Sequence, residues 1–352
     1  MEKRLNVLPV PTWNRLSVNE AGAEFSLPEE TGAPAEPTPT AFESGIGAYF
    51  DAYVREHAKE TVRLSSHDSE GAGIRHAEIA VGADGENVPA AYHFLLTAEP
   101  GEKLELLQTI SSAAGGTSAA AGDVSTLTEI YAKKGSTVRL YQVETASASD
   151  CKVRQGVIVH EEDGADVEIT RAVMGGSAAA CGARAYLTGK SSRFSLKTVY
   201  FASGAQAFDF NDVAEHRGEH TVSDLYTAGV LAGTSKKTLR GTIDFQRGAS
   251  YAVGHETEDV LLLSNGVRNK TVPLILCGEE NVEGQHAASS GRPDERQLYY
   301  LCSRGLSPAE ATKLLIEGRF APVLDRIPEE NLRKLLSDDA ERRLNAYAAE
   351  QA

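Results

Sequence analysis

The sequence predicts a mainly β core between helical ends, and three observations lead there. Between about residues 75 and 283, short alternating runs follow one another: Tyr92–Leu96, Leu104–Ile110, Val138–Val143, Val153–Val159, Val167–Val173 and Phe194–Tyr200. Each is bounded by Gly, Ser, Asn or Asp, and no helical period intervenes, which is the pattern of strands joined by turns. A Gly followed by a small residue recurs as Gly135-Ser136, Gly164-Ala165, Gly204-Ala205 and Gly248-Ala249, at intervals of 29, 40 and 44 residues. These intervals are too irregular for a strict repeat but fit one or two coils of a β-solenoid each. A sandwich would show similar strands, although about 200 residues of them is large for one sandwich.

The ends read differently. Residues 26–40, S-L-P-E-E-T-G-A-P-A-E-P-T-P-T, have the composition of a flexible linker. Ile46, Tyr49, Phe50 and Val54 recur at helical spacing, predicting a helix around Glu43–Thr61. In the tail, Ser307-Pro308-Ala309-Glu310 is a capping box with Pro at the first helical position. Ala311, Leu314 and Leu315 give that helix its apolar stripe, with Gly318 as the expected C-cap. A second start lies at Pro328-Glu329-Glu330, followed by Leu332, Leu335 and Leu336, and the final helix carries Leu344 and Tyr347. The expected division is an N-terminal region 1–74, a β core 75–290 and a C-terminal helical region 291–352.

Bulk properties narrow the function. A chain of 352 residues exceeds one ordinary compact core, so several units or one elongated solenoid are expected. The net charge of −15 argues against binding nucleic acid or an anionic membrane. No apolar run approaches a membrane span, and the N-terminus lacks a signal-peptide apolar block, so a cytoplasmic location is expected. Cys151, Cys181, Cys277 and Cys302 are scattered without a C-x-x-C pair, which excludes a zinc site built of cysteine pairs.

Three local motifs invite chemistry. His216-Arg217-Gly218-Glu219-His220 fits H-x-x-E-H, but that chemistry needs both His on one helical face, and the surroundings are strand and turn; a turn with locally bonded His is the better reading. Gly189-Lys190-Ser191 resembles the end of a phosphate loop, but the required first Gly would fall on Arg184 and no helix follows, so this chain is expected to bind no nucleotide. His286 is a good ligand type for iron or zinc, with Cys277 nine residues upstream; on neighbouring solenoid strands the two would converge. On spacing alone, a His bonded in a turn is favoured.

Residues 216–306 alter that balance. The blocks Leu261-Leu262-Leu263-Ser264, Pro273, His286 with Gln297-Leu298-Tyr299-Tyr300, and Ser303-Arg304-Gly305 resemble the core of the SufB/SufD family, scaffolds of SUF iron–sulfur cluster assembly. The likeness extends into Gly318-Arg319-Phe320 and Asp325-Arg326-Ile327-Pro328, and Leu8-Pro9-Val10-Pro11-Thr12-Trp13-Asn14 is similar to the opening of SufD-like members. The resemblance implies a right-handed parallel β-helix flanked by helical regions. It also implies a SufB-like partner and a SufC-like ABC ATPase docking on the C-terminal helices, the chain acting as a scaffold and not an enzyme. Family SufB members carry a cysteine before the Pro-x-(I/L) strand, and residues 259–272 hold none; many SufD members have Cys-x-His where this chain has Gly284-Gln285-His286. The resemblance is therefore to SufD-like members, with His286 as the candidate ligand to iron or a nascent cluster at the partner interface and Cys277 as a weak second. A solenoid carbohydrate-active enzyme, or a homodimeric minimal scaffold, is the alternative.

Overall fold

The computed structural model describes residues 4–12, 14–27, 42–68, 73–81, 89–112, 122–146 and 151–351. Its centre is a flattened parallel solenoid in which successive strands alternate between two sheets. The first sheet holds β1 (Ala58–Ser65), β3 (Ala90–Ala98), β5 (Val124–Ala132), β7 (Lys152–Glu161), β9 (Ala178–Leu187), β11 (Ala207–His216), β13 (Lys236–Phe245) and β15 (Arg268–Cys277). The second holds β2 (Arg75–Val81), β4 (Lys103–Ser112), β6 (Thr137–Glu144), β8 (Asp166–Val173), β10 (Arg193–Ala202), β12 (Val222–Leu231), β14 (Val253–Leu262) and β16 (Glu283–Gly291). Neighbours in both sheets pair in parallel, residue stacking on residue from coil to coil. No strand can bury its inner face alone; stacking makes one continuous core. That core includes Leu96, Ile110, Ile130, Leu140, Val159, Ile169 and Leu196, each worth about 1.5–3 kcal/mol when removed from water.

Left-handed turn residues mark the corners. On one edge they are Gly101, Gly135, Gly164, Ser191, His220 and Tyr251; on the other, Gly176, Gly204 and Gly233. The first edge is tied by a ladder of backbone bonds, Gly135 N to Asp163 O at 2.8 Å, Gly164 N to Lys190 O at 2.9 Å, Ser191 N to Glu219 O at 2.9 Å and His220 N to Ser250 O at 2.9 Å. The irregular glycine intervals in the sequence therefore mix two corners, and one corner substitutes Ser, His and Tyr for Gly.

Both outer faces are covered. α1 (Ala48–His57) lays Phe50 and Val54 on Leu127 and Ile158 of the first sheet. Residues before it are held to the same sheet by buried arginines that donate to main-chain carbonyls: Arg154 Nε to Phe25 O at 3.0 Å and Arg240 Nη2 to Glu20 O at 2.7 Å. On the second sheet, α3 (Pro308–Leu324) and α4 (Glu330–Gln351) pack Ile316, Phe320, Val323, Leu336 and Leu344 against Leu107, Val143, Phe201 and Val230. Between solenoid and α3 stands α2 (Glu295–Ser303), which buries none of its residues.

Some expectations shift. The predicted helix around 43–61 is confined to Ala48–His57, starting after Gly47 at φ 117°. Its last residues belong to β1, whose Val62 and Leu64 stack on β3, so the solenoid begins at Ala58 and not at 75. Gly318 does not end α3: the helix runs on through Pro322 because Phe320 and Val323 are buried against the solenoid. The capping box is present, with Glu310 N donating to Ser307 Oγ at 3.2 Å and Ser307 N to Glu310 Oε2 at 2.7 Å. The linker at 26–40 lies, beyond residue 27, outside the described residues.

Candidate functional site at the open end of the solenoid

Among the described residues, β15 and β16 close the solenoid and have a strand neighbour on one side only. In-register parallel stacking keeps side-chain direction, so inward positions carry forward from one coil to the next. Gly241, Ile243 and Phe245 of β13 hand their direction to Pro273, Ile275 and Cys277 of β15. Gly254, Glu256 and Glu258 of β14 hand theirs to Gly284, His286 and Ala288 of β16. Two contacts fix how the last strands face each other. Asn269 Nδ2 donates to Ser290 Oγ at 3.0 Å, and a Cβ added to Gly284 would sit 3.0 Å from Ile275 Cγ2. His286 therefore looks across at Pro273. Cys277 is the exposed last residue of β15, four residues further along, roughly 13 Å at the rise of a strand. The structure does not bring Cys277 and His286 together.

It brings Glu256 to His286 instead. The two are register partners, with His286 Nδ1 3.5 Å from Glu256 Oε2. Glu256 is 3% exposed, and among the described residues neither of its carboxyl oxygens has a hydrogen-bond partner. Its side chain fits because the facing residue is Gly241, where a Cβ would lie 1.8 Å from Oε1. Around it the other buried charges are paired. Arg171 Nη1 donates to Asp212 Oδ1 at 3.1 Å, and Lys237 Nζ pairs with Glu258, which also accepts from Thr271 Oγ1 at 2.6 Å. Burial, reinforced by Glu258 and Asp212 and opposed by Lys237, pushes Glu256 up to about 8. Among the described residues, no three His, Cys, Asp or Glu gather as a metal cluster.

The other motifs fall into structural places. His216 is fully buried at the end of β11, Nδ1 2.7 Å from Thr221 Oγ1 and Nε2 2.8 Å from Ser223 Oγ, whereas His220 is a corner residue stacked on Tyr251 at 4.9 Å. They share no helix, so the one-face placement that the H-x-x-E-H pattern needs is not what these two residues have. Gly189-Lys190-Ser191 is a corner leading into β10, with Lys190 Nζ 2.9 Å from Glu219 Oε2. Cys151 and Cys181 are buried and burial pushes both thiols up to about 12, so neither supplies a thiolate.

Residues 81–319, from the end of β2 to the middle of α3, match the model of the family described as SUF system FeS cluster assembly, SufBD core domain. The chain belongs to the SufBD family. Among similar SufBD proteins is the iron–sulfur cluster assembly protein SufD of Bacillus subtilis, 36% identical over 148 residues, which is 42% of this chain and 34% of that protein. A SufBD family protein of Staphylococcus epidermidis is 30% identical over 144 residues, 41% of this chain and 31% of the relative. One from Mycobacterium leprae is 28% identical over 145 residues, 41% and 17%. The alignments thus span about a third or less of these relatives' lengths. The SufBD family assignment and the parallel solenoid agree with the expectations drawn from the sequence.

Glu256 is the site residue that sequence reasoning missed. Its only signal is that Glu256 and Glu258 alternate within one strand, and the coil length needed to stack Glu256 on His286 is not written in either motif.

Proposed function

We propose that this chain is a SufD-like scaffold subunit of a SUF complex, pairing with a SufB-like paralogue and docking a SufC-like ATPase. Iron or a nascent cluster is the cargo, and His286 is the ligand this chain offers. The observation that carries the reading is the place of His286: an inward-facing imidazole on the terminal strand, on which no further coil stacks among the described residues. A neutral imidazole suits iron, and the unpaired edges of β15 and β16 suit addition of a similar solenoid.

The helical tail supports the ATPase part. α2 exposes Tyr299 (78%) and Tyr300 (56%), beside a shallow apolar hollow lined by Arg296, Gln297, Tyr300, Leu301 and Leu315. α3 follows directly and is packed on the second sheet, so a force applied at α2 reaches the solenoid through Phe320 and Val323. Nucleotide-driven closure of the ATPase then shifts the scaffold between two states, in proportion to its differential contacts with them.

The test is anaerobic co-expression with SufB-like and SufC-like proteins, followed by iron and sulfide analysis of the purified complex. His286→Ala is expected to leave the complex intact and to remove cluster loading. Normal loading by this variant would sink the ligand assignment, and failure to capture either partner would sink the complex.

A further inference from the structure

We propose that Glu256 and His286 together form a divalent-cation site, the carboxylate and the imidazole Nδ1 acting as two donors to one ion at the open end of the solenoid. The inference rests on the reading of His286 as an iron ligand and names the second donor from the same chain.

Three independent features point to a cation here. The first is charge. Near the site Arg171 pairs with Asp212 and Lys237 with Glu258, whereas among the described residues the Glu256 carboxyl has no hydrogen-bond partner and no Lys or Arg ion pair. A buried carboxylate lacking a counter-ion is costly, and a bound cation removes that cost. The second is geometry. At 3.5 Å the Nδ1–Oε2 separation is long for a hydrogen bond, and Glu256 makes none. Two donors at about 2.1 Å from one tetrahedral ion stand about 3.4 Å apart, close to what is observed. The third is space. Gly241 faces the carboxylate, and any side chain there would displace it. Imidazole with carboxylate is a donor pair for ions of the Fe(II), Co(II) and Zn(II) type, and not for soft thiophilic ions. Two donors leave the remaining positions open to water, sulfide or groups from a partner.

The test uses the isolated full chain and Co(II) as probe, with a visible d–d spectrum as the binding signal. Wild type is expected to bind one Co(II) per chain, His286→Ala to lose the signal, and Glu256→Gln to bind about tenfold or more weakly with a shifted spectrum. Cys277→Ser is expected to match wild type. Wild-type crystals soaked in Co(II) supply a readout independent of any variant's folding: anomalous scattering is expected between Glu256 Oε2 and His286 Nδ1. An ion on His286 with Glu256 unligated, or unchanged binding by a folded Glu256→Gln variant, would overturn the pair while leaving His286 as a ligand. Unchanged binding by His286→Ala would overturn the ligand reading itself. No Co(II) taken up by wild type would overturn the pair as a site of this chain and leave His286 dependent on a partner's groups.

Discussion

Acidification should destabilise this protein through one buried histidine, by an amount the structure sets. His216 lies between the Thr221 and Ser223 hydroxyls, its ring 4.9 Å from that of Phe245, and burial pushes its pKa from 6.5 down to about 4. A neutral imidazole satisfies both hydroxyls, one as donor and one as acceptor, whereas an added proton would be buried without a carboxylate to meet it. The unfolded chain takes up that proton below about pH 6.5 and the folded chain does not until about pH 4. The stabilisation is therefore present in full above pH 6.5 and is lost as pH falls towards 4. At 1.36 kcal/mol per unit, the loss is about 2 kcal/mol between about pH 7 and pH 5 and about 3 kcal/mol by pH 4. Other groups titrate in the same range, so the useful comparison is with His216→Gln, which keeps a donor and an acceptor but no titration. Denaturant unfolding of both proteins at the two pH values gives the difference. Wild type is expected to lose about 2 kcal/mol more than the variant on acidification, even if the variant is less stable at both. Equal losses would show that His216 is not held neutral, and the reasoning would fall.

Two further outcomes follow from packing. An alanine Cβ at Gly229 would lie 1.9 Å from the ring of Tyr200, which is fully buried, so Gly229→Ala is expected to destabilise by about 1–3 kcal/mol in denaturant titrations; no loss would mean that the ring has room to move. Arg343 ties α4 to the solenoid through Ser203 Oγ at 3.0 Å and Gln206 Oε1 at 2.8 Å, and it pairs with the buried Asp339 at 2.7 Å. Arg343→Ala is expected to cost about 2–3 kcal/mol and to raise amide hydrogen exchange in α4 before that in the strands; uniform exchange across the chain would refute the clamp.

Much of this fold was legible because strands and turns leave local marks. The alternating runs fall inside β3, β4, β6, β7, β8 and β10, and the capping box at Ser307 starts α3. What stayed hidden depends on stacking. Corner positions at Ser191, His220 and Tyr251 are left-handed without Gly, so the repeat of roughly 29 residues was masked. β1 escaped notice because its sequence, A-K-E-T-V-R-L-S, is strand-like only once β3 offers it a neighbour. The site divides in the same way. His286 was visible through its resemblance, while Cys277, close in sequence, is separated by the turn between β15 and β16. Glu256, a full coil away in sequence, is adjacent in space.

The distribution of charge along the axis gives this arrangement its meaning. Inward positions of the early coils mix aliphatic groups, from Leu96 and Leu106 to Val159 and Ile169, with buried polar ones such as Gln108, Thr128 and Glu161. The polar groups pair along the axis: Gln142 Nε2 donates to Gln108 Oε1 at 3.0 Å, Arg171 pairs with Asp212, and Lys237 pairs with Glu258. Leu or Val at these sites would stack on their neighbours and stabilise the solenoid at least as well, because a buried ion pair seldom repays its desolvation. Stability therefore explains the aliphatic positions and not the charged ones. Among the described residues, Glu161 of β7 and Glu256 of β14 both have carboxyl oxygens without a hydrogen-bond partner, but Glu256, unlike Glu161, stands one coil from an open end and beside His286, where a ligand can enter. The position of the unpartnered carboxyl next to His286, at a coil that a ligand can reach, is thus what a recruiting site requires.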